Sequence, residues 1–233
     1  MSRSQKLKAK LLNTYYGNPI KDMKLIAITG STGKSIVAHY VHEILKSAEK
    51  QVAVLASDAP FKVGMLHKFF SDAWKAGADY VVVTVPAQSL KDNIFFDLPI
   101  HVAAMTNFVT SSLNDMTPKE YLDNEKTLFD MKPEIVILNS DDANFETFID
   151  FKGKLKTLTF GKTSNDLKIL NSKLYNKGTE ANFSYNSEII QVATFIPGET
   201  AVSYMASATS IALAMGIPTS DIINGIANYD PEN

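Results

Sequence analysis

Leu25-Ile26-Ala27-Ile28-Thr29-Gly30-Ser31-Thr32-Gly33-Lys34-Ser35 decides the reading of this chain: an aliphatic run breaks into a glycine-framed loop that ends in Lys-Ser and opens a helix. Glycines let a backbone come close to a ligand and turn its N–H groups inward. A lysine at the end of such a loop puts a cation on terminal phosphates, and the hydroxyl after it suits Mg²⁺. Gly30, Ser31, Thr32, Gly33, Lys34 and Ser35 are therefore the candidate phosphate cradle, with Ser35 as a candidate metal ligand. Residues 24–29 before the loop are short and aliphatic like a buried strand; after it Ile36, Val37, Tyr40, Val41, Ile44 and Leu45 recur at helical spacing. The implied ligand is a nucleoside triphosphate, ATP with Mg²⁺. An ordinary strand-to-helix turn is the competing reading, and Gly-Lys-Ser set between a strand and a helix argues against it.

Four more aliphatic runs, at 51–56, 80–85, 101–106 and 134–138, alternate with helical patterns near 34–48, 65–76, 118–129 and 143–148. Alternating strands and helices predict an α/β fold, a mainly parallel sheet flanked by helices. Thr117-Pro118-Lys119-Glu120 is a helix start with a capping-box spacing. From 155 to 195 short strands at 155–160, 168–175, 181–185 and 189–195 alternate with turn signals, which predicts a small antiparallel section. A helix rich in small residues over 201–215 and a shorter one over 219–227 close the sequence.

The 233 residues carry a net charge of -2 and no cysteine. That excludes disulfides, thiolate metal sites and cysteine nucleophiles, and leaves no basic field to recruit nucleic acid. No apolar run reaches the roughly 18 residues of a membrane span, and no signal-peptide core is present, so the expected location is cytoplasmic. Residues 1–22 read as a basic helical extension, with Arg3, Lys6, Lys8 and Lys10 among Leu7, Leu11, Leu12, Tyr15 and Tyr16. Such a helix packs on its own domain or rests on an anionic membrane surface. Residues 23–233 read as one ATP-binding domain. His39, His42, His67 and His101 are scattered and form no convincing metal pair.

The order of motifs resembles the central ATPase domain of the Mur ligase family, which includes cell-wall peptide ligases and folylpolyglutamate synthase. Ile28 stands where the general pattern G-x-x-x-x-G-K-[ST] has its first glycine, and 28–35 resembles that family's shorter cradle, T-G-T-N-G-K-T. Val81-Val82-Val83, Thr106-Asn107, the helix from Tyr121 to Phe129, Leu138-Asn139-Ser140-Asp141-Asp142 and Pro197-Gly198 before the small-residue helix complete the likeness. The resemblance implies that a carboxylate is activated by ATP as an acyl phosphate, which an amine then displaces. It implies a UDP-linked or peptide carboxylate substrate in cell-wall synthesis. The N-terminal substrate-gripping domain and the C-terminal closing domain of family ligases have no counterpart in these residues, so a partner protein or further chain is expected to supply them.

Departures from the family pattern sharpen the reading. Thr84-Val85-Pro86-Ala87 stands where the family has a metal-binding Glu, and Ser111-Ser112-Leu113-Asn114 where it has Asp-His-Leu-Asp. Glu125 falls at the position of the family's carbamylated lysine, four residues after the helix tyrosine, and is the candidate catalytic and metal-binding carboxylate beside Lys34. A solvated Glu125-Lys126 surface pair is the open alternative. Asn107 and Tyr204 are nucleotide candidates, Tyr204 entering where the family has a purine-side asparagine, and Asp142 is a weaker candidate. Three functions follow: an ATP-dependent amide ligase, a non-catalytic nucleotide-binding or scaffold descendant, and an unrelated P-loop kinase or NTPase with Asp58 as its acidic switch.

Overall fold

The computed structural model describes residues 11, 14–62, 64–110, 116–148 and 155–231. Strands β1 (Lys24–Thr29), β2 (Val52–Leu55), β3 (Tyr80–Thr84), β4 (Ile100–Met105), β5 (Ile135–Asn139), β6 (Lys156–Gly161), β7 (Leu167–Tyr175), β8 (Gly178–Tyr185) and β9 (Glu188–Thr194) form one nine-stranded sheet in the order β2-β3-β1-β4-β5-β6-β7-β8-β9. The helices are α1 (Lys34–Ser47), α2 (Met65–Lys75), α3 (Ala87–Lys91), α4 (Pro118–Asp130), α5 (Phe145–Phe148), α6 (Glu199–Ala214) and α7 (Thr219–Asn228). Pro19–Asp22 forms a 3-10 turn ahead of β1. Most of the basic extension, residues 1–10, 12 and 13, lies outside the described residues, as do 111–115.

Successive side chains of β1 point to opposite faces of the sheet, and both faces are covered. Ile26 and Ile28 join Val82, Val102 and Ile137 under α1, α6 and α7. Leu25 and Ala27 join Val81, Val83 and Val136 under α2 and α4. This two-sided burial is why the strands read as continuous aliphatic runs. Thr117 caps α4 as its sequence predicts, accepting from Glu120 N while the Glu120 carboxylate accepts from Thr117 N.

The antiparallel section begins one strand later than its sequence suggests. β6 runs parallel to β5 from the pair Ile135↔Lys156 to Asn139↔Phe160, and β7 meets β6 in parallel through Phe160↔Leu167 and Gly161↔Lys168. Only β7–β8 and β8–β9 are antiparallel. The physical reason is the connection between β5 and β6, which contains α5 and is long enough for a crossover, whereas turn signals alone do not distinguish a corner from a hairpin.

Two contacts between helices and sheet govern the site. β1 pairs with β3 on one side and β4 on the other, both parallel, so the chain leaves the carboxyl end of β1 where the strand order reverses. In open parallel sheets that crevice is where ligands bind. Behind it α7 lies so close to α1 that a Cβ on Gly225 would overlap the Ile44 backbone. Gly225→Ala is expected to destabilise the chain by about 1–3 kcal/mol through overpacking, although alanine is the better helix former. Urea unfolding checks this: an unchanged or raised midpoint would mean that the two helices separate without cost.

Candidate functional site

The loop between β1 and α1 closes through two glycines that no other residue replaces without strain. Gly30 has φ 122° and Gly33 has φ 77°, in the left-handed region that residues with a Cβ avoid. A Cβ on Gly33 would penetrate the ring of Tyr204, and one on Gly30 would strike Thr106 Oγ1. The backbone therefore passes between α6 and the end of β4 with no room for side chains.

Residues after β4 brace the loop. Thr106 Oγ1 donates to the carbonyls of Thr32 at 2.8 Å and Thr29 at 3.2 Å. The carbonyl of Asn107 accepts from Ser31 N at 2.9 Å, and its side-chain oxygen accepts from Thr32 N at 3.0 Å. Asn107 thus meets the cradle as a brace, engaging two of its N–H groups. Tyr204 is buried, its hydroxyl 3.4 Å from Thr32 Oγ1, so the ring backs Gly33 from α6. Asp142 fastens the same region by accepting from Phe108 N at 2.6 Å and Asn144 N at 2.8 Å.

No side chain caps α1, so its first N–H groups, at Lys34 and Ser35, stand at the positive end of the helix. Lys34 is 7% exposed; its ammonium donates to the Gly30 carbonyl at 2.9 Å and pairs with Asp58 Oδ1 at 3.3 Å. Ser35 is half-buried in the first turn, and its hydroxyl has no hydrogen bond among the described residues.

Glu125 is the residue the sequence left most open, and the fold places it under the loop, fully buried, not on a solvated face. The Thr29 hydroxyl donates to its Oε2 and lies 3.0 Å from the Val85 carbonyl. Its Oε1 is buried without a hydrogen-bond partner. Tyr121, one turn earlier on α4, interacts through its hydroxyl with Glu125 and Ser31. Burial pushes the Glu125 carboxyl up to about 7, outweighing the Thr29 and Tyr121 hydrogen bonds and the nearby Lys34 charge, which favour the anion. Burial, then the Glu125 charge, pushes the Tyr121 hydroxyl well above its usual range.

The Glu125 shift has a defined sign. A carboxyl whose folded value exceeds its unfolded value of 4.5 stabilises the fold fully below 4.5, and that contribution is lost as pH rises through 7. The ligand-free chain is expected to lose up to about 3 kcal/mol from this group between pH 4.5 and 8. In Glu125→Gln the pH slope should flatten. Urea midpoints measured across that range in both proteins test the assignment; equal slopes would remove it.

Thr84, where the resemblance implies a metal-binding Glu, does something else here. Its hydroxyl accepts from Ser57 N at 2.7 Å and donates to Ser57 O at 2.8 Å, which fixes the turn carrying Asp58. Ser111 to Asn114 lie outside the described residues. The histidines stay apart: His39 stacks on Tyr229, His101 meets Glu134 at 2.9 Å, and His67 is buried with its Nδ1 unpartnered. Among the described residues no group of three or more His, Cys, Asp or Glu forms a metal cage by itself. A buried carboxylate with an orphaned oxygen, beside a free serine hydroxyl and a lysine-bearing loop, still suits Mg²⁺, which is held by one or two carboxylates plus substrate phosphates.

Comparison with known proteins agrees with this architecture. The family model for the Mur ligase middle domain matches residues 28–212. The chain is 28% identical over 236 residues to the UDP-N-acetylmuramoyl-L-alanyl-D-glutamate--2,6-diaminopimelate ligase of Clostridium botulinum, covering 95% of this chain and 49% of that protein. The Bacillus licheniformis ligase of the same name is 28% identical over 242 residues, covering 94% and 49%. Among solved structures, a ligase of that name superposes with a TM-score of 0.84 at 20% identity, covering 95% of this chain and 49% of that one. The MurF ligase from Thermotoga maritima in complex with ADP gives 0.74 at 18% identity, covering 96% and 52%. These two likenesses establish the fold. The chain spans about half the length of the curated relatives it matches. No helix among the described residues is long and apolar enough to cross a membrane.

Proposed function

The chain belongs to the Mur ligase family, matched through its middle domain, and from that premise we propose that it binds ATP with Mg²⁺ and transfers the terminal phosphoryl group to a carboxylate for amide-bond formation. The carboxylate would be that of a UDP-linked muramoyl peptide, as the relatives' names describe for those proteins. Gripping that peptide and the incoming amine falls, in this reading, to the half of the relatives that the chain does not span, or to a partner protein. Residues 23–233 act as the ATP-binding domain.

Each residue has a task that follows from its placement. Lys34 leaves the Gly30 carbonyl and meets the phosphate tail, which the uncapped start of α1 also attracts. Thr106, Asn107 and Tyr204 keep the loop from collapsing as the charges arrive. Ser35 and Glu125 hold the metal, which supplies the positive charge that two approaching anions require. Tyr121 orients the Glu125 carboxylate.

The observation that carries the catalytic reading is the unpartnered Oε1 of Glu125. Burying a carboxylate oxygen without a partner is costly, and a scaffold has no use for it. Calorimetry with Mg²⁺ and ATP is expected to give one site per chain. Adding UDP-linked muramoyl dipeptide should then stimulate phosphate release. Binding without any stimulated release would select the scaffold reading.

A further inference from the structure

Asp58 and Glu125 reach the loop from different elements, one on the turn after β2 and the other on α4. Between them lies one cation. The Lys34 ammonium pairs with Asp58 at 3.3 Å and exerts its charge on Glu125 without forming an ion pair to it. A phosphate tail in the cradle claims that ammonium, because a lysine in this position serves the terminal phosphates. Both carboxylates then lose their counter-charge at the moment a polyanion arrives beside them. Like charges so close are unfavourable unless another cation enters.

The structure prepares both carboxylates for that exchange. Glu125 keeps one oxygen, Oε1, free of any hydrogen bond although it is fully buried. Asp58 is held by its neighbours and not by its own carboxylate. Thr84 grips the Ser57 backbone, and Ser57 Oγ accepts from Ala59 N at 3.2 Å and donates to Ala59 O at 3.1 Å. The Asp58 side chain itself is 77% exposed, so its bond to Lys34 is weak and readily given up.

We propose that Asp58 and Glu125, together with the phosphates of a bound nucleotide, form the seat of a divalent cation, and that Lys34 occupies this seat until nucleotide arrives. The inference rests on the nucleotide-binding reading and adds Asp58 as a ligand and an order of events. It also explains Thr84: the residue shapes the turn that presents Asp58 instead of supplying a carboxylate from β3.

Asp58→Asn separates this role from a structural one because it moves two affinities in opposite directions. With EDTA present, a non-hydrolysable ATP analogue should bind the variant up to about fivefold more tightly, since Lys34 is no longer held by an exposed ion pair. With Mn²⁺ as the probe, read by electron paramagnetic resonance on the analogue-loaded chain, metal affinity should fall about tenfold or more. Circular dichroism should be unchanged. Both affinities unmoved, or moved in the same direction, would overturn the proposal while leaving nucleotide binding intact. An unsubstituted chain that binds no analogue, with or without metal, would instead overturn the nucleotide reading and this inference with it.

Discussion

Lys34→Ala is expected to weaken ATP binding at least about a hundredfold, because a charged hydrogen bond to phosphate inside a shielded loop is worth about 3 kcal/mol. The fold should survive. In the ligand-free chain the ammonium bonds one carbonyl and one exposed carboxylate, so its removal takes away little that stabilises the native state. Calorimetric titration with ATP and a thermal melt of the same sample give both halves of the result. A variant that binds ATP within tenfold of the unsubstituted chain would mean that the loop does not hold the phosphate tail. A variant that fails to fold would place Lys34 among the structural residues of the loop.

Gly33→Ala should strike both stability and binding. At φ 77° a Cβ costs about 1–2 kcal/mol, and the new methyl would also intrude on the Tyr204 ring, which adds about 1–3 kcal/mol of overpacking. The expected loss is about 4 kcal/mol, with ATP binding lost because α1 can no longer start where it does. The two contributions separate in a double variant. Trimming the ring with Tyr204→Ala should restore the overpacking part and leave the backbone strain. If Gly33→Ala alone unfolds at the same urea concentration as the unsubstituted chain, the close approach between loop and α6 is not a constraint.

Local grammar made much of the fold legible. The aliphatic runs became β1 to β5 because both faces of a parallel sheet are buried, and the capping box at Thr117 set the start of α4 as its spacing required. The same grammar failed at 155–160, where turn signals suggested a hairpin and the chain instead adds a parallel strand. Asn107 and Tyr204 were chosen as nucleotide contacts by their position in a motif order, and the fold finds them bracing Thr32 and Gly33. The Thr84 clamp on Ser57 had no signal in the sequence at all, since a threonine at a strand end is ordinary and its partner lies 27 residues away.

By itself the sequence determined the phosphate loop, because the strand, the two glycines, the lysine and the helix start are consecutive and their geometry is local. Which acidic groups serve that loop was decided only by the tertiary structure. Glu125 is 96 residues from Thr29 and meets it because α4 packs over the strand that carries it; Asp58 meets Lys34 because β2, β3 and β1 lie side by side. Strand order and helix packing set such distances through the burial of two apolar faces, and no spacing along the chain records them.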